Sequence, residues 1–398
     1  MLVIRCWLSD YASRSVASQL PMSEETKKKK NSDQSQRLVS LDALRGFDMF
    51  WIIGGAGLVV ALAKVFHLPE ELVGTLSEQM KHVQWEGFRF FDLIFPLFVF
   101  MSGVAVPYSI IAKLDDGASA ILLQSRIIRR AAVLVLIGLS FTALRFQPEQ
   151  IRLYTVLWLI GMSYLIGASI TLHVASWKKR LVIFFGVLIF YHVVMIYLPY
   201  PGKGTSLTPH NNLAAWMDRN LIETNLYRGD YDPEGSIRII PAGMLCLLGA
   251  LAGEWLRGYG RARMRCGMEL LAAGLVCLAL GWSWGLVFPI IKDLWSPSFI
   301  LWSAGWSFLL LALFYIVMDV WKQRWIGWIF LPIGMNSILI YASQWYVPWG
   351  NIRDFFFRGY SGTLSDTGMQ QLVLLGGLVL VQWLALFWLY RRKAFLSV

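Results

Sequence analysis

Ten residues separate His82 from Asp92 in the run KHVQWEGFRFFDLIFPLFVFMSG. An aspartate can hold one imidazole nitrogen and leave the other free as a base or a nucleophile. That spacing is too long for one helical turn, so contact requires the chain to fold back between them. Trp85 and Gly87 lie in the intervening stretch, and Asp92 falls about one turn into an apolar run beside Pro96. A lone loop histidine is usually plain surface. An ionisable group inside an apolar run is by default a functional candidate. The other histidines lack that setting: His67 has no Trp-x-Gly neighbour, His173 stands at a cytoplasmic end, His192 sits in an apolar run, and His210 lies in a long loop.

Other charged and polar residues stand close to apolar blocks. In SLDALRGFDMF, Asp42 and Arg45 are three apart and share a helix face, with Asp48 following. The plain alternative is a helix start with an arginine snorkelling to phosphates. Arg126, Arg129 and Arg130 crowd the mouth of another block, where they suit phosphates or anionic lipid. Asn336 and Ser337 interrupt an apolar helix as interhelical glue or as hydrogen-bond donors to a developing oxyanion. YDPEG at 231–235 reads as a loop turn.

The elements that must position these residues are membrane helices. Hydrophobic residues make up 57% of the 398 and charged residues 15%, with mean hydropathy +0.54. A soluble chain carries about 25% charged residues. The 19 Trp and 24 Phe fit interfacial aromatic belts. Spans of roughly 20 apolar residues are expected near 43–66, 88–112, 127–145, 153–172, 181–198, 237–256, 266–288, 298–319, 325–345 and 369–390. The expected fold is an all-α polytopic membrane protein of about ten helices, with the N-terminal tail and C-terminus cytoplasmic. Alternate connections support that orientation: the inside ones hold 16 Lys and Arg in 51 residues, the outside ones 11 in 103. The same asymmetry accounts for the net charge of +11 without nucleic acid. Residues 1–36 read as a disordered basic tail, and 37–398 as a single transmembrane domain. Cys6, Cys246, Cys266 and Cys277 are scattered without metal-ligand spacing, so no metal is expected.

Taken in order, RLVSLDALRGFDMF, the His82 run, the arginine-rich mouth, YDPEG, KDLWSPSF and GMNSILIY resemble the heparan-α-glucosaminide N-acetyltransferase family and its bacterial relatives. The resemblance covers residues 37 to about 390. It implies an integral-membrane acyltransferase moving acetyl from cytoplasmic acetyl-CoA to the amine of a terminal glucosamine on the opposite side. It places the chain as a multi-pass protein of the bacterial inner membrane, with a periplasmic amino sugar or glycan as acceptor. His82 then falls on the family's catalytic histidine and Asp92 on the aspartate before its FP pair. Arg126, Arg129 and Arg130 become the acetyl-CoA site, and Trp85, Asp42, Arg45, Arg152, Asn336 and Ser337 the substrate-binding set. The chain departs from the family pattern at Ala56, where an Asn is usual, and at Trp158-Leu159, where a Gln-Arg pair is usual. A different periplasmic acceptor and a non-enzymatic transporter stay open as alternatives, as does a homodimer.

Overall fold

The computed structural model describes residues 38–143, 151–201, 204–222, 224–260, 262–325 and 327–396, so the basic tail with Cys6 lies outside the described residues. Val39–Val398 forms one compact unit. Among the described residues, eight helical segments are long and apolar enough to cross a membrane: Val39–Val65, Phe90–Asp115, Val156–His173, Trp177–Tyr197, Ser236–Gly258, Met264–Gly285, Pro297–Val320 and Thr367–Arg391. No strand occurs among the described residues, where pairing is limited to an isolated bridge between Glu86 and Ile291. The chain is an all-α polytopic membrane protein. Only helices satisfy every backbone polar group within a single crossing segment.

In chain order the helices are α1 (Val39–Phe50), α2 (Ala56–Val65), α3 (Glu70–Gln79), α4 (Ile94–Val104), α5 (Ala120–Ala143) and α6 (Val156–His173). Then come α7 (Trp177–Tyr197), α8 (Leu213–Asn220), α9 (Ile239–Gly258), α10 (Met264–Gly285) and α11 (Pro297–Phe314). The last four are α12 (Gly327–Gly334), α13 (Ser337–Tyr346), α14 (Trp349–Thr363) and α15 (Thr367–Arg391).

Two expected spans take other forms. The one at 127–145 belongs to α5, a 24-residue helix whose first half carries the three arginines. The one at 325–345 is not a single helix, because the chain breaks between Gly334 and Ser337. Phe330 packs on Phe47 and Phe314, with ring centroids 5.7 and 6.3 Å away. Asn336, in contrast, hydrogen-bonds Ala394 and Leu396 just beyond the end of α15. The short α12 therefore runs back toward the end where α15 finishes, and α13 sets out again from there.

Close approach of backbones holds the centre together. A Cβ on Gly103 of α4 would collide with the Cys246 carbonyl of α9, and one on Gly249 of α9 with the Phe100 carbonyl. Small residues at such crossings are how membrane helices pack. This contact fixes α4, and with it the turn that carries Asp92. Connections expected on one side of the membrane also meet each other. Tyr191, Met195, Leu213, Ile237, Phe288 and Leu294 form one buried cluster with Trp85 against it. At the other end Arg257 pairs with Asp115 and Arg180 with Glu254.

Candidate active site

A 3-10 turn, Phe90–Leu93, leads into α4 and presents Asp92 fully buried. Its Oδ2 accepts from the backbone N–H of Val83 at 3.3 Å and of Arg89 at 3.1 Å. The 82–89 segment therefore wraps around the carboxylate, which is the fold-back that the ten-residue spacing demanded. Oδ1 is left for His82 Nδ1, 2.8 Å away. Arg89 secures the loop by donating to the His82 carbonyl at 3.1 Å and pairing with Glu78 of α3 at 2.6 Å. A carboxylate can only accept, so Nδ1 carries the proton in this contact, and in the neutral ring Nε2 is then the acceptor.

A third group joins them. Lys292 Nζ lies 3.2 Å from Asp92 Oδ1, 2.8 Å from His82 Nδ1 and 3.4 Å from His82 Nε2. Nδ1 cannot donate to Asp92 and accept from Lys292 at once, so the lysine competes for the histidine's tautomer. Its loop is tied down on all sides. Gly87 N–H donates to the Ile290 carbonyl at 2.9 Å, Tyr231 OH to Asp293 Oδ2 at 3.1 Å, and Tyr191 OH to the Leu294 carbonyl at 2.7 Å. Trp295 ends the turn in the left-handed region, φ 50°, buried and edge-on to Phe95. Such a backbone costs about 1–3 kcal/mol and persists only where its surroundings enforce it.

Beside them lies Arg152, which grips both oxygens of Asp232 at 2.7 and 2.6 Å and also bonds Glu234 Oε2. Burial, reinforced by the neighbouring Asp232 charge and opposed by Arg152, pushes the Glu234 carboxyl up to about 8. His82, Lys292, Glu234 and Tyr341 line one cavity of about 240 Å³. Its remaining walls are apolar: Met49 of α1 and Ile52 just after it, Phe95 and Phe98 of α4, Leu157 and Ile160 of α6, and Ile338 of α13. The pocket thus brings the His82 ring against largely apolar walls from α1, α4, α6 and α13.

The other expected site residues fall elsewhere. Trp85 donates to the Leu207 carbonyl at 2.9 Å and packs edge-on to Tyr231, behind the cavity wall. Asp42 and Arg45 lie 3.5 Å apart at the start of α1, away from the cavity. Asn336 donates to the Ala394 carbonyl at 3.2 Å and accepts from the Leu396 N–H at 3.1 Å, and neither it nor Ser337 lines the pocket although Ile338 does. Arg152 reaches the cavity only through Glu234. Arg126 and Arg129 are exposed, whereas Arg130 turns inward, its guanidinium 4.4 Å over the Tyr164 ring and its Nε buried without a partner. The three arginines therefore do not make one face. Lys292 and Glu234 were not singled out from the sequence; the signal available was their place inside KDLWSPSF and YDPEG.

Residues 37–288 match a family model described as heparan-alpha-glucosaminide N-acetyltransferase, catalytic. The chain belongs to this family. His82, Asp92, Arg152 and Glu234 fall within the matched residues, and Lys292 lies just beyond them. Among similar proteins are the heparan-alpha-glucosaminide N-acetyltransferases of Mus musculus and Homo sapiens, each 28% identical over 323 residues. The alignments cover 66% of this chain and 49% and 48% of those two proteins, so the chain spans about half the length of the curated relatives it matches.

Proposed function

We propose that this family member is an acetyl-CoA-dependent transmembrane N-acetyltransferase. In this reading acetyl-CoA enters from the cytoplasm, and the acceptor is the amine of a terminal glucosamine-type sugar at the periplasmic face of the bacterial inner membrane. The observation that carries the reading is the His82–Asp92–Lys292 cluster standing at the end of an apolar cavity. The thioester and its uncharged arm suit the apolar walls, and the acceptor meets the histidine from the loop side.

His82 Nε2, with Nδ1 held by Asp92, serves two routes. It takes a proton from the attacking amine as a general base, or it attacks the thioester first and carries the acetyl group as an acyl-imidazole. Lys292 supplies N–H donors where the carbonyl oxygen gains charge. On the cytoplasmic side, the buried and unpartnered Nε of Arg130 is a donor in search of an anion. Tyr164 beneath it is one turn along α6 from Ile160 in the cavity wall. This proximity supports Arg130 as the proposed phosphate-binding group.

The test uses purified protein in liposomes with acetyl-CoA on the cytoplasmic side and D-glucosamine on the other. The expected outcome is acetylated glucosamine, with His82→Ala reduced by at least about 100-fold at normal expression. No product with glucosamine from wild-type protein that binds acetyl-CoA points to another acceptor. No acetyl-CoA binding at all would sink the enzyme reading.

A further inference from the structure

Resting on the acetyltransferase reading, we infer that Glu234 is the group that receives the acceptor's ammonium and takes its first proton. Arg152 is a single cation facing two carboxylates, and Asp232 alone already engages its Nε and Nη2 in a two-point pair. Glu234 is therefore surplus to what Arg152 needs. Lys292, the next cation, is matched by Asp92 at 3.2 Å. The cluster of Arg152, Asp232, Glu234, Asp92 and Lys292 thus carries one excess negative charge whenever Glu234 is ionised. Tyr341 and His82 are the other titratable groups on the cavity, and the His82 ring is already engaged by Asp92.

A low-dielectric site with one uncompensated carboxylate demands a proton or a cation. Glu234 meets that demand with a proton when the site is empty, which is why burial lifts it to about 8. An arriving ammonium displaces that proton to the outer water and takes its place. A carboxyl held this close to the pKa of a sugar amine exchanges protons with it at little cost. The ammonium N–H bond then breaks as a Glu234 O–H bond forms, which frees the nitrogen lone pair. The amine attacks the acetyl carbon, and the C–S bond breaks. The second nitrogen proton passes through His82 to the departing thiolate. One proton leaves overall, from Glu234 to the acceptor side, and the count balances whether or not the acetyl group pauses on His82.

The structural alternative is that Glu234 merely helps to hold Arg152. The two roles differ in how they respond to pH. In liposomes with acetyl-CoA and D-glucosamine, Glu234→Gln should lower kcat/KM for glucosamine by at least about 30-fold near pH 6.5. The loss should shrink to about threefold or less near pH 9, where the amine arrives already neutral, and KM for acetyl-CoA should stay within about twofold of wild type. Glu234→Asp keeps the charge on a shorter arm and should fall between the two at pH 6.5; it carries the test if the glutamine variant fails to fold. A loss that is the same at every pH, or an unchanged acceptor KM, would overturn the assignment. Absence of wild-type turnover on glucosamine would instead overturn the acceptor reading on which it rests.

Discussion

At the scale of single residues, the site is a contest over one imidazole. Asp92 is clamped by two backbone N–H groups, so it can only hold His82, and it favours the tautomer with Nε2 free. Asp92→Asn keeps the shape but can present an N–H to Nδ1, which moves the ring proton to Nε2. We expect kcat to fall by about 10²–10⁴ with little change in acetyl-CoA affinity, measured by steady-state rates and calorimetry side by side. Lys292→Met removes the donor nearest the reacting nitrogen while retaining a long apolar stem. A loss of about 10²–10³ in kcat is expected, and turnover within threefold of wild type would take Lys292 out of the chemistry. His82 and Asp92 were legible in the sequence because both lie in one motif. Lys292 was not, since 200 residues separate it from Asp92 and only a folded loop joins them.

At the scale of elements, the rotation of α5 separates three arginines that the chain places side by side. Its three arginines look alike in sequence, but helix rotation leaves Arg126 and Arg129 outside and turns Arg130 onto Tyr164. If Arg130 binds phosphate, Arg130→Gln removes a charge-assisted contact of about 1.5–3 kcal/mol, roughly 10- to 150-fold in acetyl-CoA affinity. Arg126→Gln and Arg129→Gln should matter less. Calorimetry with acetyl-CoA and dephospho-CoA separates binding from lipid anchoring, and unchanged affinity in the triple variant would leave anchoring alone. The α4–α9 crossing is a second element-level dependency. Gly249→Leu forces a side chain into the Phe100 carbonyl and should cost at least about 1–3 kcal/mol. It should therefore lower the unfolding temperature in detergent, whereas Gly186→Ala, which meets open space inside a helix, should not lower it.

At the scale of the whole molecule, basic residues and packing agree on which connections share a face. The loops carrying Trp85, Leu207, Glu234 and Lys292 converge at one end, and Asp115, Arg180, Glu254 and Arg257 at the other. We propose from the positive-inside count that the first end faces the periplasm. Single cysteines introduced at Asn211 and Tyr259, in a Cys6→Ser background, test it. An impermeant thiol reagent outside the inner membrane should label the first and spare the second; the reverse pattern would invert the topology and put His82 in the cytoplasm.

The sequence by itself determined the solvent. Long apolar runs, interfacial aromatics and alternating basic connections admit little besides a helical membrane protein, because hydrocarbon accepts few other backbones. It also determined the motif that holds His82 and Asp92, since both residues belong to one continuous string. Tertiary structure alone decided what faces the cavity. A composition window reads 325–345 as one apolar span, but it does not register the break at Asn336, which gives its hydrogen bonds to the chain beyond α15. Nor does it register which arginine on α5 turns inward, because three residues within a turn and a half differ only in rotation about the axis. Glu234 and Lys292 became site residues when two separate loops were bonded together through Tyr231 and Asp293. Local propensity encodes helices and turns. The charge balance of a buried site depends on groups that meet only after the helices have packed.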